Sequence, residues 1–242
     1  MEIAAFILII LVASVLQTST GFGFSILATP FLLLLFEPAE AVQINLILSF
    51  FISGALIMKI RQDIDFGILR RFLVGSAAGL PIGMMVFLVI DISHLKTGVS
   101  VLVIALTIML MLNFRVRQNQ KRDMLVGGLS GSFTTSIGMP GPPLLLYFSG
   151  TDTQKETIRG TTLAFYLFIY FISLIIQVVF AGTSKVIWIS SLWALPLVFL
   201  GLYLGQLLFK WINQNVFRIF TYIILLFTGI FLLLDSWGFL NK

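Results

Sequence analysis

The chain has 242 residues, 59% of them hydrophobic and only 10% charged. A soluble domain of this size carries about 25% charged residues, so the composition reads as an integral membrane protein. The net charge of +5 would suit nucleic acid, but the basic residues fall in short loops between apolar runs, where the positive-inside rule accounts for them. Nucleic acid is therefore not an expected partner. The sequence holds no cysteine, which excludes disulfides, thiol chemistry and cysteine-ligated metals.

The N-terminus offers Glu2 and no basic stretch before its apolar run, so a cleaved leader is not expected. Ile3 to Phe36 is uncharged but interrupted by Gly21-Phe22-Gly23 and Pro30. A glycine costs roughly 1 kcal/mol in a helix interior and a proline about 3, so this run predicts a broken helix. Glu37 to Glu40 is an acidic turn, Ala41 to Met58 can span, and a basic loop follows with Lys59, Arg61, Arg70 and Arg71. Phe72 to Ile90 spans next with Gly75, Gly79, Pro81 and Gly83, a small-faced and kinked helix by expectation. Asp91 to Lys96 turns, Thr97 to Leu112 spans, and Arg115, Arg117, Lys121 and Arg122 form a second basic loop.

The pattern then begins again. Met124 to Thr151 is uncharged and broken by Gly138-Met139-Pro140-Gly141-Pro142-Pro143. After a polar loop from Asp152 to Arg159, spans are expected over Gly160 to Ala181, Ile187 to Phe209 and Ile219 to Leu234. Gly79 and Gly83 correspond to Gly201 and Gly205, Lys96 to Arg218, and Gly23 to Gly138, which an internal duplication explains most simply. The expected division is residues 1–113 as one repeat, 114–123 as a basic linker and 124–242 as the second.

If each broken run enters and returns as a hairpin, the repeats are inverted, and twelve of the fifteen Lys and Arg lie on the cytoplasmic side. If each run crosses once, only ten do. The bias favours inversion. The fold class expected is thus an all-α polytopic membrane protein of two inverted repeats, each a broken or re-entrant helical hairpin followed by three transmembrane helices. Both termini are then extracytoplasmic and the chain lies in the cell (inner) membrane.

Paired helix breaks at matching places in two halves are the best sequence pointer to a transporter's binding site. Around the first lie Gln17, Thr18, Ser19, Thr20, Gly21, Gly23 and Ser25; around the second lie Thr134, Thr135, Ser136, Gly138, Pro140 and Gly141. Asn45 and Thr162 sit near the starts of the following helices, and Arg159 lies at the edge of the second hairpin. Neutral hydroxyls with free amides at half-helix N-termini suit an anion. Hydroxyls that merely bond back to their own helix are the competing reading at any one position. Tyr147, Tyr166 and Tyr170 can wall a site, though packing is the commoner role, and the paired glycines suit close helix contact.

The lone His94 has neither carboxylates nor cysteines around it for a zinc or triad site, and an enzyme, a metal or another cofactor is not expected. The uncharged spans hold no Asp, Glu or His for a proton relay, which favours uncoupled passage over a proton-coupled importer. A non-transporting assembly subunit is the remaining alternative. The expected partners are a small anionic substrate and the lipid bilayer, and a homodimer is allowed.

Over its whole length, in two copies, the chain resembles the TauE/SafE (TSUP) family of sulfite and organosulfonate exporters. The resemblance is carried by Gly21-Phe22-Gly23 leading to Pro30, by Gly138 to Pro143, by Arg159-Gly160-Thr161-Thr162-Leu163, and by the Gly79/Gly83 and Gly201/Gly205 pairs. Phe24 and Ser25 depart from it where further glycines are common. It implies a transporter of small sulfur-containing anions such as sulfite, thiosulfate or sulfonates.

Overall fold

The computed structural model describes residues 2–91, 119–149, 151 and 153–211, with single positions between 94 and 108 and between 216 and 234. Eight helices are bounded within the continuous stretches: α1 Glu2–Thr20, α2 Phe24–Leu35, α3 Pro38–Ile60, α4 Phe66–Val89, α5 Gln120–Ile137, α6 Gly141–Ser149, α7 Lys155–Ala181 and α8 Lys185–Trp211. Five of them, α1, α3, α4, α7 and α8, are long and apolar enough to cross a bilayer. The chain is a multi-pass helical membrane protein. The expected span Thr97–Leu112 lies mostly outside the described residues and Ile219–Leu234 partly so; linker positions 114–118 and the Lys96–Arg218 match lie outside them.

Several boundaries differ from those drawn by charge, because capping groups and not the last charged residue set helix ends. Asp65 accepts from the Ile68 amide at 2.9 Å and starts α4, so Arg70 and Arg71 lie on a helix. Asn119 accepts from the Lys121 amide at 3.1 Å and starts α5, placing Lys121 and Arg122 on a helix as well. The α4 helix runs through Pro81 without interruption.

The packing exchanges partners between the two halves. The first broken run places α1 against α8, the second places α5 against α4, and α3 packs on α7 between them. Each broken run also folds on itself, α2 against α1 and α6 against α5. Without a hydrophobic drive between helices in lipid, small residues allow the close approach that holds such pairs together. A Cβ added at Gly75, Gly79 or Gly83 would overlap the carbonyl oxygens of Met124, Gly128 and Ser132 on α5. On the other pair, a Cβ at Gly201 or Gly205 would run into Ser14 and Thr18 of α1. The glycines matched between the halves thus do the same packing job.

Exposed side chains such as Val89, Trp193 and Trp211, 84%, 76% and 85% exposed, point where lipid would be. An apolar groove of about 660 Å³ between α1, α2 and α8 is lined by Phe6, Leu35, Phe36 and Trp193 among others, and none of its residues belongs to either break.

Candidate functional site at the two helix breaks

Both interruptions fall where glycine and proline predicted them. The α1 helix ends with the Gly21 amide donating to the Gln17 carbonyl at 2.8 Å. Gly21 and Gly23 then adopt φ of 81° and 108°, left-handed values that cost other residues roughly 1–2 kcal/mol. The α5 helix ends with Gly138 at φ 75°, its amide on the Thr134 carbonyl at 2.9 Å and the Met139 amide on the Phe133 carbonyl at 3.0 Å. The bond from left-handed Gly138 to the carbonyl four residues back is an αL cap. The chain restarts as α2 at Phe24 and as α6 at Gly141.

Each break is held by a helix from the other half. Asn45 on α3 donates from Nδ2 to the Gly138 carbonyl at 2.7 Å, and a Cβ on Gly138 would fall 2.8 Å from that nitrogen. Arg159 on α7 donates from Nε to the Thr18 carbonyl at 2.8 Å, and a Cβ on Gly21 would fall 2.9 Å from the Arg159 Cα. The Arg159 guanidinium lies over the Phe209 ring with Cζ 4.3 Å from its centre, and the residue is only 7% exposed. It is therefore a buried cation beside the first break and not a surface anchor. Gly141 approaches Ile26 and the Tyr166 hydroxyl, so the second break meets the start of α2.

The hydroxyls picked out from the sequence divide into two sets. Ser19, Thr20, Thr134, Thr135 and Ser136 donate to carbonyls one turn back, and Thr135 also reaches the Leu80 carbonyl at 2.7 Å. In them the ordinary helical role is visible. Thr18, Ser25 and Thr162 are fully buried, and their hydroxyls have no hydrogen-bond partner among the described residues. Gln17 donates to the Ser49 carbonyl at 3.2 Å and the Ser53 hydroxyl at 3.3 Å and leaves its Oε1 bare. Asn45 leaves Oδ1 bare in the same way. A buried polar atom without a partner costs about 1–3 kcal/mol, so a concentration of them marks room for water or solute.

That concentration has a pattern. Thr162, Tyr166, Tyr170, Ser173 and Gln177 are all fully buried, and each carries a bare oxygen. Their spacing of three and four residues places them on one face of α7, along about 22 Å of helix axis. The hydrocarbon core is about 30 Å thick, so the stripe runs through most of it. Phe168, Phe171 and Ile175, on the opposite face of α7, are exposed. Ser49 on α3 and Ser25 and Thr29 on α2 also have hydroxyls without a geometric hydrogen-bond partner among the described residues, and the Tyr170 hydroxyl lies near those of Ser25 and Ser49. Of these, Ser49, Ser173 and Gln177 are not among the candidates the sequence offers, while Tyr166 and Tyr170 are there as residues that can wall a site, with packing the commoner role. The signal that finds them is the four-residue spacing along α7.

A second polar group stands apart. Asp123, only 1% exposed, takes the Arg71 Nε at 2.5 Å and the Tyr147 hydroxyl. It thereby ties the start of α5 to α4 and to α6. All three residues are visible in the sequence, but nothing in their spacing joins them.

A family model described as "Sulfite exporter TauE/SafE" matches residues 6–232. No curated protein and no solved structure gives a match.

Proposed function

The chain belongs to the sulfite exporter TauE/SafE family, and from that premise we propose that it exports small sulfur-containing anions, sulfite, thiosulfate or organosulfonates, through the meeting point of its two helix breaks. The observation that carries this reading is the buried set of bare hydroxyl and amide oxygens along α7, α2 and α3. Such groups can take the place of a solute's water shell. The free amides of the first turn of α2 add a positive helix end. An inside-negative potential drives an anion outward with about 2.3 kcal/mol per charge per 100 mV.

The exchange of helix partners between halves supports inverted repeats related about the α3–α7 contact, with both termini extracytoplasmic in the inner membrane. Passage then alternates by moving one set of packed helices against the other around the breaks. A homodimer fits this reading without being required by it. Coupling to protons is the second reading, favoured by the buried Asp123 carboxylate. Varying membrane potential and pH gradient independently separates the two.

The test is flux into liposomes. Purified protein should move sulfite well above the protein-free rate, and Gly138→Leu should abolish that flux while the protein still inserts, because the added side chain lands on Asn45. No flux above protein-free liposomes for any sulfur oxyanion would overturn the proposal.

A further inference from the structure

The chemistry of the bare groups narrows what the site takes, and this inference rests on the transport reading above. The cost of stripping water from an ion grows as the square of its charge, whereas its attraction to neutral dipoles grows only in proportion to charge. A site of uncharged donors therefore favours single charge over double. The groups at the breaks are hydroxyls and amides. Among the described residues the one buried cation there is Arg159, which can balance one negative charge and no more. The buried carboxylate Asp123 is engaged by Arg71 and Tyr147.

The amides add a second restriction. Gln17, Asn45 and Gln177 donate from their nitrogens to the backbone carbonyls of Ser49, Gly138 and Thr135, at 3.2, 2.7 and 2.5 Å. A carbonyl accepts only from the nitrogen end, so the orientation of each amide follows from its partner. The three remaining oxygens, all fully buried and without a partner, can only accept. An oxyanion with no hydrogen of its own offers them nothing and repels them. One that keeps an O–H group can bond whichever of them it lies against, while its other oxygens take nearby hydroxyls such as that of Ser25, Thr162 or Tyr170.

We propose that the site takes a singly charged oxyanion that retains a hydrogen-bond donor, hydrogen sulfite or a hydroxyalkanesulfonate, and turns away doubly charged oxyanions, thiosulfate included, which narrows the substrates named above. The test is flux of sulfite, 2-hydroxyethanesulfonate, methanesulfonate and sulfate into liposomes holding the protein. Potential is clamped, pH is equal on both sides, and the protein-free rate is subtracted. Sulfite flux should fall about tenfold per pH unit once the pH passes the hydrogen-sulfite pKa. Methanesulfonate, singly charged at every pH used, should show no such fall and should move more slowly than 2-hydroxyethanesulfonate. Sulfate should stay near the protein-free rate.

Sulfate or doubly charged sulfite moving as fast as the single anions would overturn the charge rule. Methanesulfonate matching 2-hydroxyethanesulfonate would overturn the donor requirement. If none of the four moves, the transport reading itself is lost and this inference with it.

Discussion

The two breaks turn the chain at matching places by different chemistry. The first uses two left-handed glycines, Gly21 and Gly23, and opens into α2 with Phe24, Ser25 and Ile26, whose amides have no acceptor within the helix. The second uses one left-handed glycine, Gly138, followed by Pro140, Pro142 and Pro143. Proline has no amide hydrogen and a fixed φ, so the first turn of α6 keeps Gly141 as the sole donor among its first three residues. One elbow is open and rich in donors; the other is stiff and nearly bare. If the first break is the one that faces the proposed anion, the donor-rich backbone need be built only there.

The largest effect expected from breaking this comparison lies at the stiff end. Asp123→Ala leaves Arg71 and Tyr147 without their partner on a buried helix start, and a loss of about 3 kcal/mol in unfolding free energy in detergent is expected. The matching contact of the first broken run, α1 and α2 with α8, has an apolar groove instead, so no polar substitution there should cost as much. Next comes the open elbow itself. Gly23→Ala should cost about 1–2 kcal/mol because its φ of 108° is unfavourable for an L side chain. Pro140→Ala should cost less than half of that by the same melt.

A subtler change makes the first break resemble the second. Ser25→Pro removes a hydroxyl and an amide donor at a position in the first helical turn, where proline is tolerated. Sulfite flux should fall about tenfold, equivalent to about 1.4 kcal/mol of lost binding, with stability nearly unchanged. Unaltered flux would show that the α2 amides do not face the solute. The smallest effect is expected for Pro143→Ala, which restores an amide to α6 and should leave flux within about twofold of the starting protein.

Much of this architecture was legible beforehand for a plain reason: in hydrocarbon, charge and helix-breaking residues are costly enough to mark spans and breaks unaided. Gly21, Gly23 and Gly138 stand at the breaks, and the Gly79/Gly83 and Gly201/Gly205 pairs make the close contacts expected of them. Which hydroxyls are bare was not legible. Thr134 and Thr162 look alike in sequence, yet the first bonds the Ser130 carbonyl at 2.6 Å and the second has no partner among the described residues. That difference depends on which way each helix is turned. Arg159 is a sequence candidate, but its burial was hidden for a related reason, since that comes from Phe209 and the first break, both distant in the chain. The Asp123 cluster joins residues on three helices, a tertiary fact with no local trace.

The glycine contacts also constrain how the molecule can rearrange. Where a glycine of one rod rests on the carbonyls of another, as Gly75, Gly79 and Gly83 do on α5, there is no clearance for a side chain to ride over during a one-turn slip of about 5.4 Å. The same lock joins α8 to α1. Each pair must swing as a single splint, so any motion that uncovers the centre has to be taken up at the seams between splints.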